Sequence, residues 1–181
     1  AIAKIDKTFS YMQSKPVPKY TFQPEEPITA PIVKEVIGPD AENIGIAFRL
    51  PGNKDKDVLL ADLVGEILTN GKAGLLDLNL VKQQKLLRAS AFTFTLQDYG
   101  VLWLNAAPTT GQSLEEVQKL VLNEIENLKK GNFDADLLPS IVNNIKKQKI
   151  QSTEKYGDRA RLLQSAFNDE IDWKDQVAYV N

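Results

Sequence analysis

The sequence predicts an α+β domain in which an antiparallel or mixed sheet is layered against helices. Three observations carry this expectation. β-Branched or alternating runs occur at 32–37, 44–50, 88–96 and 101–106, and Gly and Pro turn signals separate them. Stretches with three- and four-residue apolar spacing lie mostly between and after these runs. The tight connection Gln97-Asp98-Tyr99-Gly100 joins two of the runs as a hairpin, which demands antiparallel neighbours. Strands and helices are thus partly segregated, which favours α+β over a doubly wound parallel sheet.

In chain order, Ile2, Ile5, Phe9 and Met12 have the spacing of a short helix. Pro16, Pro18, Pro24, Pro27 and Pro31 then forbid helix interior and favour extended chain, the composition of a linker. Ile32 to Ile37 is β-branched and stops at Gly38-Pro39-Asp40; Ile44 to Leu50 follows and stops at Pro51-Gly52. These read as two strands joined by a short loop. From Lys56 the period changes. Val58, Leu59, Ala61, Leu63, Val64, Ile67 and Leu68 form a broad apolar helical face ending at Asn70-Gly71, and a shorter helix is expected from about Leu75 to Lys85.

The next two runs form the hairpin. Val101 to Ala106 is apolar on both sides, as a central strand is. Ser113-Leu114-Glu115-Glu116 is a capping box, and the helix it starts ends at Gly131. Pro139 is tolerated only in a first turn, which places the next helix start near Leu137 or Leu138. Further helices are expected from Tyr156 to about Asp169 and from Asp172-Trp173 onward. The expected organisation is a tail helix of a preceding domain over 1–14, a Pro-rich linker over 15–31, and a main domain over 32–181 that is cut short at its C-terminal end.

Composition excludes several chemistries. The 181 residues contain no His and no Cys. Zinc sites are built mainly from those two side chains, and Ser-His-Asp or Cys-His catalysis needs an imidazole. Disulfides are excluded too, which leaves the redox compartment open. With 22 Lys+Arg against 24 Asp+Glu, a net charge of −2, there is no basic field for nucleic acid. No apolar run is long enough for a transmembrane segment, and Ala1-Ile2-Ala3-Lys4 has none of the features of a signal peptide.

Among candidate sites, Gly71-Lys72-Ala73-Gly74 lacks the Gly-Lys-Ser/Thr ending of a phosphate loop and follows a helix, so it is expected to be a helix-to-helix corner. Lys146, Lys147, Lys149, Lys155, Arg159 and Arg161 read as a solvated helix face. Glu115-Glu116 and Asp134-Asp136 fit helix starts, and Asp169-Glu170 reads as solvated. Phe92, Phe94 and Trp103 are expected in the core.

From about Ile32 to Trp173 the chain resembles the non-catalytic domain of the insulinase/pitrilysin-like zinc metallopeptidases, with their processing-peptidase-like fold. The features that carry the resemblance are Ile44 to Gly52, Asp57 to Leu68, the corner and helix from Gly71 to Leu80, the hairpin at Tyr99-Gly100, the capped helix at Ser113, and Gly131. That family holds zinc with His-x-x-Glu-His and a distant Glu, whose counterparts are absent here. In the family's substrate-binding domains an Arg and a Tyr seven positions apart assist the zinc; the equivalent positions here carry Val81 and Arg88. The resemblance therefore implies a second domain of a long member: catalytically inactive, with no catalytic or metal-binding residue of its own and zinc in another domain of the parent.

Its implied partners are that catalytic zinc domain and a peptide substrate, with neither nucleic acid nor a membrane span involved. Long bacterial members imply a periplasmic or envelope location. Because members enclose peptides in a chamber, Leu87, Arg88, Ala89, Ser90 and Ala91 are the candidate peptide-binding segment, against the alternative of an ordinary buried strand. A scaffold or interaction module, from a parent that has lost proteolysis, is the alternative function.

Overall fold

A computed structural model describes residues 1–18 and 20–178. The chain divides into two units, one over Ala1–Pro39 and one from Asp40 onward. In the first, helix α1 (Ile2–Phe9) buries none of its residues, and Ser10 Oγ donates to the Lys7 carbonyl at 3.0 Å at its end. The proline-punctuated chain beyond it is extended, with the Tyr20 and Phe22 rings stacked 6.0 Å apart. The strand expected over 32–37 does not form. Ile32, Val33, Val36 and Ile37 are exposed and the segment enters no ladder. β-Branched residues favour extended backbone, but a strand exists only with a pairing partner, and the described residues provide none.

The second unit contains a three-stranded antiparallel sheet of β1 (Ile44–Pro51), β2 (Arg88–Thr95) and β3 (Tyr99–Ala107) in the order β1-β3-β2. The central place expected for the second hairpin strand is the one β3 takes. Its register sets Leu104 between Ile46 and Ala91, and Leu102 between Phe48 and Thr93. Helix α2 (Lys56–Leu68) starts where Asp55 accepts from the Asp57 N–H at 2.9 Å. The helix expected over 75–85 is shorter. Its first residues lead into a π-helical turn, Asp77–Val81, closed by the Lys82 N–H on the Asp77 carbonyl, and Gln84 then takes a left-handed φ of 56° that stops it.

Helix α3 (Leu114–Lys129) carries the complete capping box. The Glu116 N–H donates to Ser113 Oγ at 3.2 Å and the Ser113 N–H to Glu116 Oε2 at 3.3 Å. Gly131, at φ 70°, takes the left-handed turn beyond it. Helices α4 (Leu137–Glu154), α5 (Tyr156–Asn168) and α6 (Trp173–Ala178) follow, with Pro139 in the first turn of α4.

The core lies between one sheet face and the helices. Ala89, Leu102, Leu104 and Ala106 meet Ile67 and Leu68 of α2, Val117 and Val121 of α3, and Leu76, Leu80 and Leu86 from the connection between α2 and β2. Phe92, Phe94 and Trp103 lie outside this core, contrary to expectation. They are 52%, 56% and 39% exposed on the opposite sheet face. Alternation along a strand defines two faces but not which one the helices cover. On β2 the helices take the side of small residues. Ala89, Ala91 and Thr93 let α2 come so close that a Cβ on Gly65 would lie 3.9 Å from the Phe92 Cα.

Candidate functional site

Leu87, Arg88, Ala89, Ser90 and Ala91 form the approach and first half of β2, a strand bonded only to β3, so its outer edge is unpaired among the described residues. The segment is therefore not an interior strand. Leu87 and Arg88 are exposed and Ser90 and Ala91 half-buried, while Ala89 is buried against the helices. An edge of this kind offers main-chain donors and acceptors to another extended chain. Val81 ends the π-helical turn, and Arg88 opens β2.

The other candidate motifs resolve into structural roles. In the corner 71–74 the anion is internal. Asp77 Oδ2 accepts from the backbone N–H groups of Asn70 at 3.0 Å, Gly71 at 2.8 Å and Gly74 at 3.3 Å. The Asn70 side chain takes those of Lys72 and Ala73. The donors that a phosphate would need are thus already engaged. Gly74 is required by close approach, because a Cβ there would stand 2.5 Å from the Leu68 carbonyl oxygen. Glu170 is not merely solvated: its carboxylate pairs with Lys54 at 2.6 Å, linking the end of α5 to the loop before α2. On the basic helix face, Arg161 pairs with Asp158 at 3.1 Å and the Arg159 guanidinium lies 4.6 Å from the Tyr156 ring centre.

Sequence reasoning missed two acidic features. Glu124 is buried on α3, where its Oε2 accepts from Asn79 Nδ2 at 2.7 Å and Asn127 Nδ2 at 3.1 Å, tying α3 to the π-helical turn. The signal was its position three residues after Val121, on the apolar stripe. On α2, Asp62 accepts from the Thr93 hydroxyl, and Glu66 lies one turn further on. Burial, and secondarily the Asp62 charge, raise the Glu66 carboxyl above its ordinary value of 4.5.

A raised folded-state value means that the native chain binds this proton more tightly than the unfolded one. Stability is then lost as pH rises from about 4.5 through the folded value. Glu66→Gln is accordingly expected to be more stable than the parent chain at pH 7, with an advantage that shrinks toward pH 4. Urea midpoints across that range test it; an advantage that grows on acidification would contradict it.

An apolar groove of about 600 Å³ lies between β1, α2 and α3, floored by Phe48, Val64, Leu68, Leu102 and Ile125. Its polar groups, Lys119, Asn123, Glu126 and Lys129, include an ion pair of 2.7 Å between Glu126 and Lys129 that holds the Glu126 carboxyl below its ordinary range. Among the described residues no three acidic side chains converge as metal ligands, and the whole chain lacks His and Cys. This donor set does not fit zinc.

The chain is 27% identical over 154 residues to the zinc protease PqqE of Helicobacter pylori, a match covering 84% of this chain and 35% of the relative. It therefore spans about a third of that relative's length. The crystal structure of a protease from Helicobacter pylori superposes with a TM-score of 0.70 at 27% identity, over 76% of this chain and 33% of that one. The inactive peptidase domain of a candidate zinc protease from Bordetella parapertussis shares the fold, with a TM-score of 0.63 at 18% identity over 71% of this chain and 70% of that one. The family described as the peptidase M16 inactive domain matches residues 1–145. With well over half its length so matched, the chain belongs to the peptidase M16 inactive-domain family.

Proposed function

We propose that this domain is a wall of the substrate chamber of a zinc metallopeptidase acting on peptides or small unfolded proteins, and that it contributes backbone binding rather than catalytic groups. The observation that carries the reading is the open outer edge of β2 at Leu87–Ala91. An edge strand binds any extended chain through main-chain hydrogen bonds, which suits an enzyme that encloses many sequences. In this reading residues 1–14 close the preceding domain, 15–31 connect, and 32–181 form the wall. The zinc sits on the parent's catalytic domain, in keeping with the relatives named as zinc proteases and with a chain that has no His or Cys.

The test uses the 181-residue chain and an unstructured peptide. Backbone amide signals of Leu87 to Ala91 are expected to shift on titration. A peptide N-methylated at every residue, which can donate along neither edge, is expected to leave them unmoved. Shifts confined to the helices, or none at millimolar peptide, would overturn the reading.

A further inference from the structure

We infer that β2 also selects the peptide laid along it, through Phe94, Phe92, Ser90 and Arg88. The inference rests on the edge-binding reading above and adds side-chain preference to it. These four residues alternate along β2 and share the sheet face that the helices leave open. A strand added at the outer edge places its own alternate side chains directly beside them, at the spacing where cross-strand pairs interact.

Along β2 the face offers apolar contact at one end and a cation at the other; a second cation, Arg49 on β1, lies across β3 from Phe94, 5.7 Å from the centre of the Tyr99 ring. Phe92 and Phe94 are 52% and 56% exposed, and their partners on β3 are Trp103 and Val101. Trp103 is seated across β1, where Gly45 leaves it room: a Cβ there would stand 2.8 Å from the indole Cζ2. An aromatic floor thus extends over all three strands. Arg88 is exposed at the far end of β2, and no side chain that the three strands direct to this face is acidic. The occupant that complements this order is an extended peptide with apolar side chains at i and i+2 and a carboxylate at i+6 when antiparallel to β2, or the reverse order when parallel. A carboxylate beside Arg88 adds charge attraction to the backbone pairing.

The experiment measures binding of fluorescein-labelled eleven-residue peptides to the 181-residue chain by anisotropy. One peptide carries Leu at i and i+2 and Asp at i+6; its counterparts carry Lys at i+6 or Ser at both apolar positions, and each is also made in reversed order. In the preferred orientation the Leu/Asp peptide is expected to bind about tenfold more tightly than the Lys peptide. Removal of each aromatic contact is expected to cost up to about fivefold. Phe92→Thr with Phe94→Thr should erase the Leu-over-Ser preference, and Arg88→Glu should invert the Asp-over-Lys preference. Both alter exposed strand positions, and urea midpoints confirm folding. Equal binding of all peptides, still abolished by N-methylation, would overturn the selectivity and leave edge binding standing. Absence of binding by every peptide would remove both. A concentration-dependent dimer that the double Thr variant abolishes and no peptide displaces would assign the face to a second copy of the chain instead.

Discussion

Leu104→Ala is expected to destabilise the chain by about 3–4 kcal/mol, the upper range for truncating a large buried side chain. Leu104 is 1% exposed at the middle of the central strand, between Ile46 and Ala91, and it faces the helices that close the core. Neighbours on both sides are held by backbone pairing, so the sheet cannot collapse into the space left behind. The loss is read as a fall in urea midpoint at unchanged slope. The contrast is Phe94→Ala, a larger truncation on the uncovered face, expected to cost less than about 1 kcal/mol apart from its effect on peptide binding. Equal losses at the two positions would mean that the helices do not cover the face assigned to them.

Asp77→Ala is expected to cost about 2–3 kcal/mol, because hydrogen bonds to a charged acceptor are the stronger kind and three backbone donors lose theirs together. Those donors, on Asn70, Gly71 and Gly74, lie in the corner between α2 and the π-helical turn. Asp77→Asn keeps a carbonyl oxygen for one or two of them and should lose about half as much. Amide exchange at Gly71 and Gly74 should quicken in both variants, more in the Ala one. Unchanged exchange would show that the corner is held by the Asn70 side chain alone.

What was legible in the sequence was local. The Ser113–Glu116 box, Gly131, Pro139 and the hairpin turn each act within a few residues, and each stands where its chemistry requires. What was illegible depends on partners far along the chain. Ile32–Ile37 has the composition of a strand but no strand to pair with among the described residues. The alternation through Phe92 and Phe94 marks two faces, and only the arrival of α2 decides that the alanine face is the buried one. The Lys54–Glu170 ion pair joins residues 116 positions apart, beyond the reach of any local pattern.

The candidate peptide segment was found through a resemblance. Its character as an edge depends on the strand order, and the exposure of Phe92 and Phe94 beside it depends on which face the helices cover. Glu124 shows the same limit from the polar side. Its place on the apolar stripe of α3 marks it for burial, but not that Asn79, 45 residues earlier, supplies one of its donors.

The strand order β1-β3-β2 has a temporal side as well. β1 is finished at Pro51, but the strand it pairs with among the described residues begins at Tyr99. A ribosome adding roughly 5–20 residues per second needs roughly 2–10 s to make the intervening chain. Once β3 emerges, the hairpin with β2 closes within about 1–10 μs. The hairpin is therefore expected to close first, with the earlier strand β1 joining afterwards. During that wait the stripe of Ile44, Ile46, Phe48 and Leu50 has no β3 to pair with on the nascent chain.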